Sequence, residues 1–107
     1  MMVTIEEFKK LELKIAEIKD VQDHPDADRL YVITIDVGDV RKQIVAGIKN
    51  SYSKESLIGR QVVVVNNLEP AMLRGVESQA MLLAAQDAEG ICIISPDRRA
   101  QIGSIVK

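Results

Sequence analysis

The amino-acid sequence predicts an all-β domain with short helices, and three observations carry that prediction. Apolar residues recur at a spacing of two over several stretches, the first being Leu11, Leu13 and Ile15 around Glu12 and Lys14. β-Branched residues concentrate in those stretches, with four valines in a row at Val62–Val65. Turn-forming residues separate them, at Asp23–Asp28 with Pro25, at Gly38–Asp39 and at Asp87–Gly90. At 107 residues the chain fits one domain, 1–107, with no room for a second.

Each element has its own signal. Thr4 and Glu7 have the spacing of a capping box, so a short helix is expected to about Lys10, with Ile5 and Phe8 on one face. Such a helix cannot stand alone and must pack on the domain or on a partner. The first strand begins at Leu11, and the phase shift at Ala16, Ile18 and Val21 predicts a bulge within it. Leu30–Val37 reads as the second strand and Arg41–Ile48 as the third. Ser53 can cap one helical turn, Lys54–Ile58, which Gly59 ends. Gln61–Asn66 is a fourth strand, apolar enough to be buried on both faces. Asn67–Ser78 is expected to be a long connection, and Gln79–Ala85 with Ile91–Ile94 a further strand pair. One helical turn between strands three and four suits the OB-fold, a five-stranded Greek-key barrel, with an SH3-like barrel as the alternative.

Composition excludes several classes. A chain that is 47 % hydrophobic with a net charge of -2 can bury a core and is not disordered. Neither a signal peptide nor a membrane span is expected, since the longest aliphatic run is Val62–Val65. Cys92 is the one cysteine and cannot form an internal disulfide, so a cytoplasmic protein is expected. No catalytic constellation, metal site or cofactor is expected. The lone His24 lies in an acidic turn and reads as structural or solvated, and Cys92 sits in an apolar strand.

Recognition chemistry fits better. Asp20, Asp23, Asp26, Asp28, Asp36 and Asp39 make the segment from 20 to 40 acidic, with Arg29 alone opposing them. Arg41, Lys42, Lys49, Lys54 and Arg60 then make 41 to 60 basic, against Glu55. In a barrel these places can meet on one rim, where cations would neutralise phosphates and release counterions. Arg74 joins them as a further phosphate contact, and Asn50, Ser78 and Gln79 are neutral groups suited to phosphate, ribose or base edges. The alternative for Ser78, Gln79 and Asn67 is that they satisfy backbone groups of their own loop. Phe8, Tyr31 and Tyr52 are the only aromatics, which argues against a row of stacked bases and for a folded RNA target. Phe8, Ile102, Ile105 and Val106 are apolar ends that a two-fold dimer would bury.

The wording of the sequence is more specific than its composition. His24-Pro25-Asp26-Ala27-Asp28-Arg29-Leu30-Tyr31, Ile44-Val45-Ala46-Gly47-Ile48, Val65-Asn66-Asn67-Leu68-Glu69-Pro70 and Leu73-Arg74-Gly75-Val76-Glu77-Ser78-Gln79-Ala80-Met81-Leu82 follow in order. This resembles the structure-specific tRNA-binding domain family, over about Ile5 to Val106. That family includes free-standing dimeric tRNA-binding proteins, the methionyl-tRNA synthetase beta subunit or C-terminal domain, and the endothelial-monocyte-activating polypeptide II type domain. The resemblance implies an OB-fold barrel without catalysis that binds folded tRNA, as a homodimer assisting an aminoacyl-tRNA synthetase, methionyl foremost, in trans. Met81 would pack on sugar or base, or in the core. A chaperone-like or assembly module that binds polypeptide is the alternative, and an exposed apolar groove would be its signature. The chain departs from the family at Glu69 and Met72, where lysine is usual, at Ala80, where glycine is, and at Lys49-Asn50-Ser51-Tyr52. These departures bear on affinity more than on fold.

Overall fold

The structure, a computed structural model spanning residues 1–107, is a nearly closed β-barrel with short helices, as expected of an all-β, OB-like chain. Helix α1 (Ile5–Phe8) carries the capping box, with Thr4 Oγ1 accepting from the Glu7 amide and Glu7 Oε1 from the Thr4 amide. Its four residues are all exposed, so capping fixes its shape while nothing in the chain covers its apolar face. Strand β1 (Leu13–Asp23) follows, then β2 (Tyr31–Asp36), β3 (Arg41–Ala46), α2 (Lys54–Leu57) and β4 (Gln61–Val65). The sheet order is β3-β2-β1-β4, continued by β7 (Met81–Leu82).

Strand β1 serves two neighbours. Leu13 to Glu17 pairs with β4, and Glu17 to Asp23 pairs with β2. The register shifts between Ile18 and Asp20, so the expected bulge is present and re-aims the strand from one partner to the other. Inside the barrel lie Ile18, Ile33, Ile35, Ile44, Val62 and Val64, with Leu57 of α2 inserted among them. Val63 and Val65 point the other way and meet Leu13 and Ile15 in a second cluster. Leu83, Ala100 and Val106 pack on that cluster, which is why β4 is buried along its whole length.

The C-terminal segment is held by backbone. Gly103 N–H donates to Ile15 O (2.8 Å), Ile15 N–H donates to Ser104 O (2.9 Å), and β10 (Ile105–Val106) pairs with the start of β1. Gly103 has φ +89 and lies against the β2–β3 turn. A Cβ there would stand 2.9 Å from Val37 O and 3.2 Å from Gly38 Cα.

Two sequence readings are corrected. Asn67–Ser78 is not a bare connection, because β5 (Ala71–Leu73) and β6 (Val76–Ser78) form a hairpin within it. Arg74 and Gly75 at its tip both have positive φ, +53 and +86, the pattern of a type I′ turn. An Arg-Gly pair lacks the Asn or Asp that usually announces that turn, which is why it left little mark in the sequence. The final strand pair is also split. β7 joins the barrel, and β8 (Ala84–Asp87) pairs with β9 (Gly90–Ile93) as a separate ribbon, because Leu83 turns under β4 between them.

Candidate nucleic-acid interface

The barrel closes through one backbone hydrogen bond supplemented by side chains rather than through a continuous ladder. Gln79 N–H donates to Gln43 O (2.8 Å), and Gln43 N–H donates to Gln79 Oε1 (2.8 Å). The Gln79 side-chain carbonyl thus takes the place of a strand acceptor at the seam. Ser78 completes it: its hydroxyl accepts from Val45 N–H and donates to Ala80 O, both at 3.0 Å. Ser78 is buried with both bonds made, so its expected contact with RNA gives way to the structural alternative. Ser78→Ala would leave the Val45 amide unpaired in the interior and is expected to destabilise the fold by about 1–3 kcal/mol. The check is urea unfolding, together with an unchanged salt dependence of RNA binding by the folded variant.

His24 is likewise structural. Its Nδ1 accepts from Asp26 N–H (2.9 Å), which leaves Nε2 protonated and donating to Leu73 O (3.0 Å). The ring is 5 % exposed, and it joins the Asp23–Leu30 loop to the β5–β6 hairpin. Arg74 adds a second tie, donating to Asp26 O (3.2 Å). In OB-type barrels the loops in these two places flank the oligonucleotide-binding face. Here they are locked to one another before any ligand arrives.

The expected cations do not form one patch. Lys49 and Lys54 converge on Asp23, at 3.1 and 3.2 Å. Arg74 stands over the acidic loop in a shallow pocket shared with Asp26, Asp28 and Arg29. Lys42 turns to the end of β4 and donates to Asn66 O (2.8 Å), which makes it a strut of the barrel more than a free phosphate contact. Arg41 is exposed at the start of β3, and Asn50 is exposed in the turn after it. Arg60 lies over the Tyr52 ring, 5.1 Å from its centre, at the far end of α2. Both tyrosines are committed: Tyr31 is buried and donates to Tyr52 O, and Tyr52 Oη accepts from Ile93 N–H. Met81 is half-exposed in an apolar groove of about 430 Å³ beside Ile48, Leu73 and Ile91.

Three carboxyls are held below their ordinary values. Asp23 is so held by the hydrogen bonds from Lys49 and then Lys54, Glu17 by Lys19 and then Arg99, and Glu12 by the Asn66 amide and then Lys14. A carboxyl whose folded value is depressed adds stability above its unfolded value, and that stability is lost as pH falls through the folded one. Acid unfolding below about pH 4 is therefore expected to be shallower in Asp23→Asn and Glu17→Gln than in the parent. Urea midpoints measured along a pH series test this.

Comparison with known proteins gives a consistent result. A family model described as a tRNA binding domain matches residues 13–105. The methionine–tRNA ligases of Thermococcus onnurineus and Pyrococcus furiosus are each 50 % identical over 105 residues, covering 98 % of this chain. The chain spans 14 % of the length of each of those relatives. Among solved structures, a MetRS-related protein from Pyrococcus horikoshii superposes with a TM-score of 0.92 at 29 % identity, covering 100 % of this chain and 99 % of that one. The CsaA chaperone from Picrophilus torridus also gives 0.92, at 28 % identity, covering 99 % of this chain and 100 % of that one.

Proposed function

Since the chain belongs to the tRNA binding domain family, we propose that it is a non-catalytic module that binds folded tRNA through phosphates and serves a methionyl-tRNA synthetase. The observation that carries this reading is the pre-locked pair of loops beside the β2–β3 face, with Lys49, Lys54 and Arg74 on or next to them. Cations held in place favour an RNA whose phosphates are also fixed, since ordering a flexible strand would cost more than such contacts return. Stacking adds little, because Tyr31 and Tyr52 are occupied within the fold. In this reading exposed Arg41 at the start of β3, exposed Asn50 in the turn after that strand and the side-chain NH2 of Gln79 at the seam add further contacts. Competition at fixed salt with Mg²⁺ present tests the reading. Several folded tRNAs are expected to compete alike and heat-unfolded RNA more weakly, and equal competition by unstructured RNA would overturn it.

The active unit in this reading is a two-fold dimer in the cytoplasm. Ile5 and Phe8 of α1, with Leu11 and Ile105, expose apolar surface at one end of the molecule. Only Lys9–Glu12 separate α1 from the strand end on which β10 pairs. Of the residues expected there, Phe8 and Ile105 are outward, whereas Ile102 is half-buried and Val106 already packs on the second cluster. A monomer by light scattering at micromolar concentration would remove the dimer. A second reading, polypeptide binding, is favoured by the apolar groove at Met81 and by the likeness to CsaA proteins. Met81→Ala would weaken peptide capture under that reading while leaving the salt dependence of tRNA binding unchanged, since no charge is altered.

A further inference from the structure

A polar cleft of about 250 Å³ lies past the C-terminal end of α2, lined by Arg60, Gln61 and Ser95–Arg99 with no apolar side chain but Pro96. Its cations are held from behind. Arg60 rests on the Tyr52 ring, Arg98 Nη1 donates to Arg99 O (2.9 Å), and Arg99 Nη1 donates to Gly59 O (3.2 Å). Glu17, reached from beneath, is shared between Lys19 and the other guanidinium nitrogen of Arg99. Asp97 also lines the cleft, yet it forms no ion pair with any of the arginines. Lys19, Arg60, Arg98 and Arg99 thus outnumber Glu17 and Asp97. Arg60 and Arg98 keep free N–H groups, and the Ser95 hydroxyl has no partner inside the chain. Gln61 is not available, because it is buried with its side-chain amide bonded to both backbone groups of Ala100.

Planar guanidinium groups fixed by a ring and by backbone carbonyls suit the tetrahedral oxygens of a phosphate, since little side-chain freedom is lost on binding. We propose that this cleft is a phosphodiester-binding site for RNA, formed by Arg60, Arg98 and Ser95 and braced by Arg99 on Glu17. It rests on the tRNA-binding reading and extends the contact surface beyond the loops beside β2–β3, along α2 to the C-terminal segment. Lys54 opens that helix and Arg60 follows its end, so one RNA strand passing along α2 meets the lysine pair first and the cleft second.

Two measurements test it. The first titrates inorganic phosphate into the intact protein and follows the Arg60 and Arg98 side-chain N–H resonances, with chloride at equal ionic strength as the control. The second measures tRNA affinity across a salt series for Arg98→Gln, which alters an exposed side chain, and for Arg60→Gln. Phosphate is expected to move both resonances where chloride does not, and each variant is expected to lower the slope of log affinity against log salt by about one unit. Parent-like slopes in both folded variants would overturn the cleft while leaving the tRNA reading intact. Failure of the parent to bind tRNA would overturn that reading instead. The phosphate titration then decides the cleft alone, movement supporting an anion site and no movement removing it.

Discussion

Replacing Lys49 and Lys54 together with alanine is expected to weaken tRNA binding by roughly 60-fold at 0.1 M salt and to lower the salt slope by about two units. The size follows from counterion release. Each phosphate neutralised contributes a slope of about 0.9, which at 0.1 M salt corresponds to roughly an eightfold gain per contact. The two ammonium groups meet at one carboxylate, Asp23, so they form one site and should be removed together. Asp23→Asn is the opposing variant: it removes a competing carboxylate but also the hold on both lysines, so it is expected to raise the affinity of unfolded RNA more than that of folded tRNA. A filter or fluorescence titration at several salt concentrations measures both. If the double alanine variant kept the parent's slope, the lysine pair would not face the RNA.

Gly103→Val is expected to destabilise the fold by about 2–4 kcal/mol, through two separable causes. At φ +89 any side chain is strained, and the added Cβ would also press on Val37 O at 2.9 Å and Gly38 Cα at 3.2 Å. Both neighbours are backbone of a tight turn and cannot step aside. The C-terminal segment must shift instead, loosening the Gly103–Ile15 and Ile15–Ser104 hydrogen bonds and uncovering Leu13, Ile15, Val63 and Val65. Gly59→Ala separates the causes. Gly59 also has positive φ, +86, but nothing lies within 4 Å of its Cβ position. It is expected to show the strain alone, about 1–2 kcal/mol. Urea midpoints of the two variants should therefore differ clearly, and equal midpoints would mean that the tail is not pinned at Gly103.

Alternation and branching in Leu13–Asp23, Tyr31–Asp36, Arg41–Ala46 and Gln61–Val65, with the capped turn at Lys54–Leu57, were readable from the chain because each pattern is local. So was burial of both faces of Gln61–Val65, since four consecutive valines can be accommodated only with apolar cover on each side. Order of motifs sufficed for the family. The fates of individual polar residues were not readable in this way. Ser78 and Gln79 look from sequence like ligand groups, yet they close the seam with Val45 and Gln43, more than 30 positions away in the chain. Lys42 and Lys49 are chemically alike, yet one braces Asn66 O and the other sits at the surface with Asp23. Arg98 and Arg99 meet Arg60 only where the C-terminal segment reaches the end of α2. The physical reason is that periodicity reports which side of a strand is apolar, whereas a hydrogen bond depends on positions within a few tenths of an ångström. Those positions are set by closure of the barrel, which brings together groups that no local pattern relates.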